Sequence, residues 1–247
     1  MPHQVTPGRR ALVTGGSSGI GLAVATMLVG RGYEVVLNAR RAGPLETAAE
    51  SIGARFAVGD CAVEADVASL VEAAGPVDLL VHAAGMMAGT FVRKESVATF
   101  DAVVAANLRS AFLVSAVVLQ AMPAGGRIIF LSSSSAHAPQ PGKAAYSASK
   151  AALNAFALAL AGEVERDGIA VHTVTPAPVA TPMLDDVHFP MHALDADQVA
   201  AAVVWLDTLD PSVVLPELEL RAATVGPFAP ELFVPDAALA LGRTEAP

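Results

Sequence analysis

The run T-G-G-S-S-G-I-G at Thr14–Gly21 constrains the fold more than any other feature, because it follows the apolar stretch Ala11–Val13 and opens a segment of helical period. Glycines in such a turn permit positive φ and close backbone approach, while the helix behind them presents unpaired N–H groups and a partial positive charge. A strand, a glycine turn and a helix in that order form a pyrophosphate cradle, with Gly15, Ser17, Ser18, Gly19, Ile20 and Gly21 as its candidate residues. The spacing is G-x-x-x-G-x-G, not the G-x-G-x-x-G of the commoner dinucleotide fold. Alone, it also fits a plain turn.

Beyond this turn, short β-branched runs alternate with alanine-rich segments of helical period, the pattern of βαβ units around a mostly parallel sheet. Strands are expected at Ala11–Val13, Glu34–Leu37, Arg55–Val58, Leu79–Val81, Arg127–Leu131, Ala170–Val174 and Leu218–Leu220. Helices are expected near Ile20–Gly30, Leu45–Ile52, Ala65–Ala74, Phe100–Gln120, Ala144–Arg166 and Ala196–Leu206. The fold class is α/β: a Rossmann-like, doubly wound sheet flanked by helices on both faces, in one domain over residues 1–225. Pro176, Pro178, Pro182 and Pro190 keep residues 176–194 irregular, and that segment follows a strand's C-terminal end, where ligands bind in open parallel sheets. Residues 226–247 read as a proline-broken tail.

Of the 247 residues 53% are apolar and 16% charged, so a core is easily filled and the surplus apolar surface points to self-association. A net charge of −9 argues against a nucleic-acid partner, which needs a basic face. Cys61 is the only cysteine, which excludes an intrachain disulfide. The first ten residues hold no apolar signal-like core, and no stretch is read as approaching the roughly 20 apolar residues of a membrane span. The expectation is a cytoplasmic, soluble protein.

The reactive groups sit in Y-S-A-S-K at Tyr146–Lys150, with Ser133 thirteen residues earlier at the end of a strand. Tyr146 and Lys150 share a helical face, where the ammonium is expected to lower the phenol from its ordinary value of about 10. Adding hydride to a ketone builds negative charge on oxygen, so a hydrogen-bond donor and a deliverable proton are needed there. Ser133 and Tyr146 supply both, although Ser132, Ser134 and Ser135 crowd the serine assignment. At the end of the second strand, where an acid would hold an NAD ribose, the chain reads Asn38, Ala39, Arg40, Arg41. Arg40 suits a 2′-phosphate, hence NADP(H), with both arginines at a helix start as the alternative.

With these motifs in order, the sequence resembles the short-chain dehydrogenase/reductases over about residues 9–222. The resemblance adds G-D-C at Gly59–Cys61, H-A-A-G at His82–Gly85, A-N-L at Ala106–Leu108, L-S-S at Leu131–Ser133 and T-P-A-P-V-A-T-P-M at Thr175–Met183. It implies that Tyr146 is the general acid/base, that Ser133 bonds the substrate oxygen, that Lys150 binds the nicotinamide ribose and that Asn107 holds a relay water. It also implies cofactor contacts from Asp60, Cys61, His82, Ala83, Ala84, Gly85, Pro176, Ala177, Val179 and Thr181, and pairing into a homodimer or homotetramer through the helix of Tyr146 and the one before it. For Asp60 a strand-end cap is equally open.

Two positions depart from the family pattern: His82 stands where asparagine is usual, and Ala177 where glycine is usual. An imidazole is not expected to offer the paired donor and acceptor of an amide, so His82 reads as a buried, satisfied histidine. Asp185, Asp186, His188 and His192 do not read as a metal site, because Pro190 breaks the helix that would align the histidines. Met183, Leu184, Phe189 and Met191, with Met86 and Met87 facing them, suggest an apolar wall for an uncharged ketone or aldehyde. The reading is carbonyl reduction or alcohol oxidation with NADP(H). Its rivals are an NAD-dependent alcohol dehydrogenase, a non-catalytic cofactor sensor and a structural partner in a larger assembly.

Overall fold

The computed structural model describes residues 8–185, 187, 190–210, 212–224 and 232–233. Seven strands form one parallel sheet: β1 (Arg10–Thr14), β2 (Glu34–Ala39), β3 (Arg55–Val58), β4 (Leu79–His82), β5 (Arg127–Leu131), β6 (Ala170–Pro176) and β7 (Glu217–Leu220). Their spatial order is β7-β6-β5-β4-β1-β2-β3. The direction of winding reverses between β1 and β4, so a crevice opens at their C-terminal ends.

Alternation along each strand builds two cores. Ala11 and Val13 of β1 face one layer, with Leu28 of α1 (Gly19–Gly30), Leu45 of α2 (Ala42–Ile52) and Val203 of α7 (Ala196–Leu206). Leu12 faces the other, with Leu70 of α3 (Glu64–Ala74), Val114 of α5 (Ser110–Val118) and Leu153 of α6 (Ala144–Val164). Strands covered on both faces need near-continuous apolar runs, which is why β5 reads R-I-I-F-L and is buried throughout. Its Arg127 is only 2% exposed and is held by Asp207, His172 and the Leu209 carbonyl, tying the end of α7 to the sheet.

Three expectations change. The helix expected over Phe100–Gln120 is α4 (Val97–Val104), a π-turn at Ala105–Arg109, and then α5. That continuous run, Val97–Val118, also reaches the length and hydropathy of a membrane span, with 22 residues and a mean hydropathy of 1.5. One face of it packs into the core, where Val103, Ala111 and Val114 are fully buried and Asn107 with them, while Val97, Phe100 and Phe112 on the rest of its surface are exposed. Within the expected tail, Leu232–Phe233 pairs antiparallel with Met191–His192 of the proline-rich loop; the other residues of 226–247 lie outside the described set, as do Asp186, His188 and Phe189.

Candidate active site

Gly15 has φ +67, and a Cβ placed on it would lie 2.7 Å from the Ala83 carbonyl oxygen, so no side chain fits between the ends of β1 and β4. The Ser18 hydroxyl makes no capping hydrogen bond to α1, so it leaves the first-turn N–H groups for an anion. Above this turn lies a cavity of about 690 Å³. Its walls include the expected Gly15, Ser17, Ser18, Gly19, Ile20, Gly21, Arg40, Asp60, Cys61, Ala83, Ala84, Gly85 and Thr181. His82, Pro176, Ala177, Val179, Tyr146 and Lys150 do not line it.

Arg40 lines the cavity, is well exposed and makes only a loose ion pair with Asp60 at 3.9 Å. Its neighbour Arg41 occupies the N-cap position of α2 and lines the cavity as well, so both arginines face it. Asp60 does two things: its Oδ1 accepts from Ala62 N at 2.9 Å, closing the turn after β3, and the residue also faces the cavity. The buried Cys61 thiol, close to Asn38 Oδ1 at 2.9 Å, is pushed up to about 12 by burial, with Asp60 and Asp66 adding to it. It stays a thiol at neutral pH.

The reactive groups gather beside this cavity. Tyr146 and Lys150, on the first turns of α6, are 7% and 5% exposed. Lys150 Nζ donates to the Leu131 carbonyl at 2.7 Å and lies 6.0 Å from the centre of the Tyr146 ring. Burial draws the ammonium down to about 8. The same burial raises the Tyr146 phenol above its ordinary value, while the Ser133 side chain pulls the other way. The lowering expected from Lys150 is not among the causes: its ammonium donates to the Leu131 carbonyl, and burial sets the direction of the shift. Ser133 sits in extended backbone ahead of a single turn of 3₁₀ helix, and its Oγ accepts from Ser135 N. Ser132 Oγ instead faces the Lys150 carbonyl, at 3.4 Å.

Asn107 is fully buried at the π-turn. Its Oδ1 accepts from Met86 N at 2.8 Å, and its Nδ2 donates to Met86 O and to Ser149 Oγ, both at 2.9 Å. A Cβ on Gly85 would lie 2.8 Å from Asn107 Oδ1 and 3.6 Å from Lys150 Nζ, so these two groups converge on the cavity wall at Gly85. Sequence reasoning missed Ala102, Ala105, Ala106 and Ser110, which also line the cavity. Ala106 opens the A-N-L motif and the others had only proximity to it as a signal, because alanine and serine at these positions read as ordinary helix.

The short chain dehydrogenase family profile matches residues 9–189. The chain belongs to this family. An acetoacetyl-CoA reductase of Allochromatium vinosum is 39% identical over 225 residues, covering 80% of this chain and 90% of that protein. An NADPH-dependent aldehyde reductase-like protein of Arabidopsis thaliana chloroplasts is 35% identical, covering 75% and 78%. A solved short chain dehydrogenase from Burkholderia cenocepacia J2315, in complex with NADP, superposes with a TM-score of 0.79 at 30% identity, covering 88% of this chain and 97% of that one. This dehydrogenase is accordingly an oxidoreductase with a Rossmann-like fold.

Proposed function

We propose that this dehydrogenase uses NADP(H) to reduce an uncharged, fairly apolar ketone or aldehyde, with Tyr146 as the acid. The observation that carries the reading is the buried Tyr146 phenol, with Lys150 Nζ 6.0 Å from its ring centre, beside a cavity whose glycine turn fits a pyrophosphate. A neutral phenol carries the proton that the oxygen of a reduced carbonyl must receive.

The residues present fit the dinucleotide: no side chain can occupy the space at Gly15, α1 offers free N–H groups, and the exposed Arg40, paired only loosely with Asp60, suits a 2′-phosphate. When bound, the nicotinamide supplies the hydride. Tyr146 Oη delivers the proton to the substrate oxygen, and Ser133 Oγ donates a second hydrogen bond to it. Lys150, still protonated at neutral pH, has N–H groups beyond the one given to Leu131 O for the ribose hydroxyls. Asn107 has committed both amide hydrogens to Met86 and Ser149, so a relay water is left the second lone pair of its Oδ1 or its main-chain carbonyl. Met86 and Met183 on the cavity wall, with Met87 packed near Tyr146, give the substrate a soft apolar surface.

Copies are proposed to pair through α5 and α6. Phe112 and Leu158, large apolar side chains on these helices, are 53% and 64% exposed.

The test is consumption of NADPH and NADH across ketones, aldehydes and a 3-oxoacyl thioester. Turnover of simple ketones or aldehydes with clear NADPH preference is the expected result. NADH preference, or activity confined to the thioester, contradicts it.

A further inference from the structure

His82 ends β4 directly opposite Thr14, the last residue of β1. It is 1% exposed, and its ring is held on both sides: Nδ1 lies 3.0 Å from Thr14 Oγ1, and Nε2 lies 3.0 Å from Ser110 Oγ. The proton positions follow from the neighbours. Ser110 Oγ lies 2.6 Å from the Ala106 carbonyl, which can only accept, so the single hydroxyl hydrogen of Ser110 is spent there. Ser110 can therefore only accept from the ring, and Nε2 must carry hydrogen. Thr14 Oγ1 already accepts from Ala84 N at 3.2 Å and has its own hydrogen to give to Nδ1. One direction of donation runs throughout, from Ala84 N–H to Thr14, and from the imidazole through Ser110 to Ala106 O.

Ala106 belongs to the π-turn at Ala105–Arg109, a backbone form that is rare and needs support from outside the helix. The same turn carries Asn107, which grips Met86 and reaches Ser149; Ser149 Oγ donates at 2.7 Å to the carbonyl of Tyr146. Two runs of polar contacts, Thr14–His82–Ser110–Ala106 and Asn107–Ser149–Tyr146, thus meet through the backbone of the π-turn, with one imidazole linking that turn to the glycine turn. Burial, with the Lys150 charge nearby, holds the ring down to about 3, so it stays neutral through the working range of pH.

We infer that His82 is a positioning residue: an imidazole protonated at Nε2 that sets the Asn107 π-turn in register with the cofactor turn. This rests on the hydride-transfer reading, and a separate readout keeps the two apart. Asparagine is too short to reach both partners. Its amide can keep the Thr14 contact and must release Ser110, whereas glutamine can place its Nε2 near that of the histidine and keep Ser110.

The experiment compares His82→Asn, His82→Gln and His82→Ala with wild type for NADPH affinity and kcat, each corrected for folded fraction by circular dichroism. The expected pattern is a kcat loss between about tenfold and a hundredfold in the Asn and Ala variants, the scale of a small misplacement of reacting groups. The Gln variant should recover kcat relative to Ala, and the Asn variant should hold NADPH better than Ala does. Equal kcat in all four proteins, or equal loss in all three variants, overturns the inference. Independently of turnover, ¹⁵N-histidine spectra should show His82 as the neutral Nε2–H tautomer; an Nδ1–H form or an imidazolium at neutral pH overturns it as well. A wild type that reduces no carbonyl while showing the Nε2–H tautomer would reject the hydride-transfer reading and leave the tautomer intact.

Discussion

Single residues explain why this site needs so few charges. Glu217 shows how one carboxylate can tie a loop, a helix and a strand together: its Oε1 accepts from Thr175 Oγ1 at 2.5 Å, His137 Nε2 at 2.6 Å and Asn154 Nδ2 at 3.2 Å. His137 follows Ser133 in its loop, and Asn154 lies two turns beyond Tyr146 on α6, so the cluster pins that loop to the helix and to the sheet edge. Burial pushes the Glu217 carboxyl up, but the hydrogen bonds from Thr175, His137 and Asn154 outweigh it and leave it below its ordinary value. A depressed carboxyl contributes stability that is complete above the unfolded value of about 4.3 and is lost as pH falls through the folded one. Glu217→Gln should therefore melt below wild type at pH 6–7, with the gap closing below about pH 4; a gap that does not change with pH contradicts this. None of this was legible in the sequence, because Glu217 meets its partners only when β6 and β7 pair. His82 was legible as buried and satisfied, but its ring does offer one donor and one acceptor, on opposite sides. The pairing of Tyr146 with Lys150 on one helix was legible, yet the direction of the phenol's shift is set by burial, which spacing alone cannot fix.

At the scale of elements, the β1 turn and α1 were plain in the sequence because glycine and alternation act locally. The edge strand β7, read as Leu218–Leu220, starts one residue earlier. The π-turn was not legible. Ala-Ala-Asn-Leu-Arg has nothing against regular helix, and the extra residue is drawn in by bonds from Asn107 to Met86 and Ser149, which are distant in sequence. The two-residue ladders Val179–Ala180 with Leu194–Asp195, and Met191–His192 with Leu232–Phe233, are equally set by remote partners. Helices α5 and α6 carry the remaining element-scale prediction. Leu158 and Phe112 are apolar and more than half exposed among the described residues, so sedimentation at micromolar concentration should give a dimer or tetramer, and Leu158→Glu should shift it toward monomer. A wild-type monomer contradicts the pairing.

For the whole molecule, the winding reversal between β1 and β4 creates the crevice, and the sheet's C-terminal edge brings Ser133, Tyr146, Lys150 and Asn107 to it from β5, α6 and the π-turn. The net charge of −9 makes local cations meaningful: Arg40 stands at the cavity, and Lys150 is buried beside it. The central claim is that Tyr146 supplies the proton while the rest of the site holds the dinucleotide. It is tested most directly by measuring, on wild type and Tyr146→Phe, both NADPH binding by fluorescence and NADPH consumption with a ketone that wild type reduces. Turnover should fall by about 10²–10⁴-fold, the contribution of a positioned acid, with affinity for NADPH changed by no more than about twofold. A Phe variant that turns over like wild type would contradict the account.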